Sequence, residues 1–127
     1  MLERIHHIAI IGSDYEVSKD FYTRILGLEI INETYRSERN SYKLDLALNG
    51  NYIIELFSFP APPKRVSRPE ASGLRHMAFA VKDIQRAIEH LMLNEVYTEA
   101  IRIDEITGKR FTFFSDPDGL PLEIYEI

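Results

Sequence analysis

The chain has 127 residues, 45% of them hydrophobic, and a net charge of −5, which suits one well-buried core and is too short for two independent domains. Lys and Arg are scattered among Asp and Glu, so there is no basic field for a phosphate backbone and nucleic acid is not an expected partner. With no cysteine, a disulfide framework and a thiolate metal site are excluded; no apolar run approaches a membrane span and no room is left for a signal peptide, so a cytoplasmic protein without a membrane partner is expected.

Ile5 to Ile11 is rich in β-branched residues and is predicted to be a strand. Ser13 and Asp14 then offer an N-cap, Val17, Phe21 and Ile25 recur at helical spacing, and Gly27 is placed to end the helix. Leu28 to Arg36 reads as extended. Tyr42, Leu44, Leu46 and Leu48 alternate with Lys43, Asp45 and Ala47 in the two-residue period of a half-buried strand, and Asn49-Gly50-Asn51 turns the chain back into a strand at Tyr52 to Phe59. Residues 60–72, PAPPKRVSRPEAS, form a linker rich in proline and charge. The order then repeats: a strand at Leu74 to Val81, Asp83 as N-cap, and a helix with Ile84, Ala87, Ile88, Leu91 and Met92 on one face and Asn94 near its end. Three extended segments follow, around Tyr97 to Ile103, Arg110 to Phe114 and Leu120 to Tyr125, with SDPDG at 115–119 as a turn. The expected fold is α+β, two tandem β-α-β-β-β modules (about 1–59 and 73–127) in a single domain spanning 1–127. Each half of roughly 60 residues is marginal alone, so the halves complete each other or exchange partners in a homodimer.

The repeat carries the candidate chemistry. RIHHIAIIGSD places His7 seven residues before Asp14, and LRHMAFAVKD places His76 seven before Asp83. Glu55, in YIIELF, stands 48 residues after His7, and Glu123, in PLEIYEI, stands 47 after His76. Taken alone, each is most simply a surface or satisfied core residue, and His6 competes with His7, from which it would point to the opposite face of a strand. Glu55 is the hardest to dismiss, because a carboxylate among Ile53, Ile54, Leu56 and Phe57 needs a compensating partner if it is buried. Two imidazoles and two carboxylates at matching positions of a duplicated unit would converge under approximate two-fold symmetry into a His2Glu2 site for one divalent ion: Zn, Ni, Co, Mn or Fe.

These motifs, together with HHIAIIGSDYEVSKDFYTRILGLEI, NYIIELF, LRHMAFAV and FFSDPDGLPLEIYEI, resemble the vicinal oxygen chelate superfamily, the glyoxalase I, bleomycin-resistance and dioxygenase fold, and within it a YaeR-type subgroup of small bacterial proteins. The resemblance covers nearly the whole chain. It implies curled mixed sheets around a metal-binding cup, a homodimer, a small-molecule substrate, and His7, Glu55, His76 and Glu123 as metal ligands. It further implies a lyase, isomerase or epimerase similar to lactoylglutathione lyase, in which the ion chelates vicinal oxygens and stabilises an enediolate while Glu123 or Glu55 acts as base. An extradiol-type dioxygenase and a metal-free small-molecule or drug-binding protein stand as alternatives. Among the arginines that suit an anionic substrate, Arg110 is the preferred contact because it opens RFTFF beside a strand expected to line the cup.

Overall fold

The computed structural model describes residues 1–127 and divides into two compact units, Met1–Lys64 and Arg65–Ile127. Unit 1 runs β1 (Ile8–Gly12), α1 (Tyr15–Asp20), a π-helical turn (Phe21–Ile25), β2 (Glu29–Arg36), a 3-10 turn (Ser37–Arg39), β3 (Ser41–Leu48) and β4 (Asn51–Ser58). Unit 2 runs β5 (Met77–Val81), α2 (Ile84–Leu93), β6 (Arg102–Ile103), β7 (Arg110–Ser115) and β8 (Pro121–Glu126). This is the α+β, β-α-β-β-β order read from the sequence, given twice.

Each unit is one mixed four-stranded sheet, in the order β1-β4-β3-β2 and β5-β8-β7-β6. In both, the first strand of the unit lies at one edge of the sheet, parallel to the last: β1 beside β4 and β5 beside β8. The remaining pairs are antiparallel. A parallel pair needs a crossover, and the helix supplies it.

The helices start where the sequence places caps. Asp14 accepts a hydrogen bond from the Val17 backbone N–H (3.2 Å) and Asp83 from that of Arg86 (3.1 Å), each satisfying one of the donors a first turn leaves open. In α2, Ile84, Ile88 and Leu91 are buried at helical spacing. Val17 and Met92, both expected on the buried stripe, are exposed, at 50% and 64%. The stripes turn instead through Tyr15, Ser18, Phe21 and Tyr22 in one unit and through Leu91 in the other. Gly27, at φ +76°, takes the left-handed conformation that ends the first helix without Cβ strain.

One face of each sheet is the core. Leu44, Leu46, Ile54 and Leu56 have no exposed area, and neither has Leu122 or Thr112; Phe114 and Ile124 are close to that. Strand alternation sends Lys43, Asp45, Glu55 and Phe57, and likewise Phe111, Phe113, Glu123 and Tyr125, to the opposite face. A bulge at Ile53 matters here. Ala47 pairs Tyr52 and Leu46 pairs Ile54, so one extra residue is absorbed in β4, which keeps Glu55 opposite Asp45 rather than opposite buried Leu44.

Two strands are shorter than expected. β1 begins at Ile8 rather than Ile5, and β5 at Met77 rather than Leu74. From 97 to 103 only Arg102 and Ile103 pair as strand, although the Glu99 N–H still reaches the Phe113 carbonyl at 2.9 Å. The SDPDG segment is a turn held by Asp116, whose buried carboxylate accepts from the N–H groups of Asp118 and Leu120 at 2.9 Å each.

Candidate metal centre

His7 and His76 each stand one residue before a first strand, beside the strand that carries the glutamate. Ile8 pairs with Ile54 and Ala9 with Glu55; Met77 pairs with Leu122 and Ala78 with Glu123. The registers are identical, so the two pairs form in the same way. His7 Nε2 lies 3.0 Å from Glu55 Oε2, and His76 Nε2 lies 3.0 Å from Glu123 Oε2. Their surroundings match as well: the carboxylates are 13% and 12% exposed and the imidazoles 36% and 31%.

The donor set suits a borderline divalent ion, which takes imidazole nitrogen and carboxylate oxygen at about 2.0–2.2 Å. Two atoms 3.0 Å apart are spaced as neighbouring ligands around such an ion. Within neither unit do three His, Cys, Asp or Glu side chains gather as a metal-holding group. Each unit thus offers one histidine–glutamate pair.

The two halves differ in what supports them. In unit 1 the Tyr52 hydroxyl lies 2.8 Å from Glu55 Oε2 and 3.0 Å from Asp45 Oδ1, and Asp45 also accepts from the Lys43 ammonium at 2.9 Å. Burial raises the Tyr52 hydroxyl well above its ordinary titration range, and the hydrogen bonds to Glu55 and Asp45 add to this, so Tyr52 stays protonated and donates. His6 Nδ1 is 2.8 Å from His7 Nδ1, and the His6 ring meets Tyr52 edge-on. Because both histidines precede β1, strand alternation does not drive them to opposite faces. In unit 2 the position opposite the glutamate is Phe113 instead of Asp45, and its ring lies edge-on to His76 with centroids 5.1 Å apart.

Neither Asp45 nor Tyr52 was singled out by sequence pattern as touching Glu55, since the bulge at Ile53 decides that they share its face. Arg110 stands apart from these groups. It shares the parity of buried Thr112 and Phe114, and its Nε and Nη2 donate to the two carboxylate oxygens of Glu126 at 2.9 and 2.6 Å. Glu126 also accepts from the Ile84 N–H at the start of α2. Arg110 therefore ties β7 and β8 to the helix-bearing side.

Comparison with known proteins agrees with this architecture. The chain is 64% identical over 126 residues to YwkD of Bacillus subtilis (strain 168), covering 99% of this chain and 98% of that one. It is 63% identical over 125 residues to YaeR of Escherichia coli (strain K12), covering 98% and 97%. The crystal structure of a glyoxalase family protein from Enterococcus faecalis superposes with a TM-score of 0.90 at 48% identity, covering 98% of each chain. The sequence model of one family matches residues 4–124, and with it the resemblance read from the paired motifs is established: the chain belongs to the Glyoxalase/Bleomycin resistance protein/Dioxygenase superfamily.

Proposed function

We propose that the protein is a metal-dependent lyase, isomerase or epimerase acting on a small oxygen-rich metabolite, working as a homodimer, with His7, Glu55, His76 and Glu123 as the ligands of one divalent ion. The observation that supports this most is the duplicated pair of screened glutamate and adjoining imidazole, 3.0 Å apart in both units. Two such carboxylates, each mostly withdrawn from water, are costly to keep without a cation.

Held by these residues, a divalent ion supplies Lewis acidity to two adjacent oxygens of a substrate. The chain supplies the rest. His7 would give its Nε2 to the site, and its Nδ1 is 2.8 Å from His6 Nδ1, a contact that holds the orientation of the ring. Glu123 or Glu55 takes the proton from the carbon beside the polarised carbonyl, and one of them returns it to the neighbouring atom or opposite face. The proton leaves and re-enters with no net oxidation, which is the chemistry of isomerisation and epimerisation. Tyr52 holds Glu55 by one hydrogen bond and leaves Glu123 the freer of the two. Arg110 is left out of this reading: it lies on the face of Thr112 and Phe114, opposite that of Glu123, with its fork taken by Glu126.

Elemental analysis of untagged protein, reconstituted with Ni²⁺, Zn²⁺, Mn²⁺, Co²⁺ or anaerobic Fe²⁺, tests the proposal. About one ion per chain is expected, lost in both His7→Ala and His76→Ala. Retention in either variant overturns the ligand set. Failure to hold any ion turns the reading to a metal-free small-molecule-binding protein, and oxygen uptake with catechols in the Fe²⁺ form turns it to an extradiol-type dioxygenase. With a substrate in hand, Glu55→Gln and Glu123→Gln variants that both keep metal and full turnover exclude the carboxylates as bases.

A further inference from the structure

We infer that Arg36 is a binding contact for an acidic group on the substrate, so that the metabolite is an oxyanion, a carboxylate or phosphate, as well as a chelator; this rests on the reading of Glu55 as a ligand. Arg36 ends β2 opposite Ser41, and Ser41, Lys43 and Asp45 alternate onto the face of the sheet that carries Phe57 and Glu55. Its guanidinium carbon lies over two rings, 4.8 Å from the centroid of Phe57 and 6.0 Å from that of Phe59. Those rings are themselves stacked, at 5.7 Å and 15°. The guanidinium is thus seated over an aromatic platform, which restrains the fork before any ligand arrives.

What the fork lacks is an acceptor. Nη2 donates to Ser41 Oγ at 3.2 Å, while Nε is buried with no hydrogen-bond partner. No carboxylate pairs with it, whereas Lys43, its neighbour on the same face, is taken up by Asp45. Unit 2 gives the contrast: Arg102 also lies over two rings, Phe111 and Phe113 at 5.3 and 5.1 Å, but Glu99 accepts from it at 3.0 Å. Of the two stacked arginines, only the one in unit 1 keeps its charge unanswered. A half-buried guanidinium with unused N–H groups is the natural bidentate partner of a carboxylate or phosphate. Phe57 is the next residue after Glu55 on that face, roughly 7 Å along the strand at two residues of rise. A metabolite of a few carbons, with vicinal oxygens at one end and an acid at the other, matches that spacing.

Hydroxamates carry two adjacent oxygens and serve as probes. Calorimetric titration of the metal-loaded full chain compares butyrohydroxamate, which ends in a methyl group, with succinic monohydroxamate and phosphoglycolohydroxamate, which end in a carboxylate and a phosphate. One or both acidic probes are expected to bind at least about tenfold tighter than butyrohydroxamate, and the tighter tail identifies the substrate class. In Arg36→Gln this preference collapses while butyrohydroxamate binding is unchanged; Arg36→Lys keeps only part of it. Equal affinities in the wild type, or a preference that survives Arg36→Gln, overturn the inference. If no hydroxamate binds, the chelation reading fails, and Arg36 is then decided without metal: a saturable shift of the Arg36 Nε–Hε resonance on titration with succinate supports the anion contact, and no shift overturns it.

Discussion

Tyr52 separates the two halves of the candidate centre more clearly than any other side chain. Its hydroxyl donates to Glu55 Oε2, the oxygen that also faces His7 Nε2, and burial together with its two carboxylate neighbours keeps it protonated. Outer partners of this kind orient a ligand and tune its affinity, and losing one typically costs 10–100-fold in metal binding. Tyr52→Phe is therefore expected to weaken metal affinity by about that factor in a chelator competition, with the circular dichroism spectrum unchanged; undiminished affinity would show that Glu55 needs no such support. Spacing in the sequence already matched His7 and Glu55 with His76 and Glu123, because a duplicated unit repeats its residues at near-equal intervals, and each pair does meet in its own unit. It missed Tyr52 and Asp45 for a local reason. Counted without the bulge, Glu55 falls opposite Leu44, and no residue in YIIELF announces that Ile53 is the extra one.

Among the elements, α2 is the one whose stability can be dissected by charge. Asp83 caps its first turn through the Arg86 N–H, and Glu126 reaches in from β8 to the Ile84 N–H. Asp83→Ala is expected to cost about 1 kcal/mol in urea unfolding. Glu126 is held below the usual glutamate range, first by the Arg110 guanidinium and then by the Ile84 N–H. A depressed carboxyl contributes stability above its unfolded-state value and loses it as the pH falls through the folded one, so the loss begins near pH ~4.3 and continues below. Glu126→Gln should flatten that acid limb while lowering stability at neutral pH; an unaltered limb would show that Glu126 does not drive it. Caps and strand alternation were legible in the sequence because they are local. The exposure of Val17 and Met92 and the shortening of β6 were not, since they depend on where a neighbouring sheet ends.

For the molecule as a whole, the duplication was the most legible feature: two strand-helix motifs with the same internal spacing become two sheets with the same strand order and the same parallel register. The differences between the copies were invisible, because an aspartate and a phenylalanine can both occupy a half-buried strand position while only one adds a carboxylate beside the site. Solution scattering should give twice the chain mass, and a monomer mass would remove the dimer from the proposal. Added metal should stabilise the folded chain by mass action, by about 2.7 kcal/mol at a hundredfold excess over Kd, and raise the thermal midpoint accordingly. His7→Ala and His76→Ala should each abolish that gain; a gain persisting in either would point to an ion held elsewhere.

The parallel pairing of β1 with β4 also governs kinetics. Between His7 and Glu55 the chain runs through a helix and an antiparallel hairpin, and His76 and Glu123 are separated in the same manner. Such distant partners are brought together at the largest loop-closure cost in the unit, so they are expected to join late. An ion bound to them would leave the refolding rate unchanged and slow unfolding instead, turning the centre into a clasp that lengthens the life of the folded chain without guiding its formation.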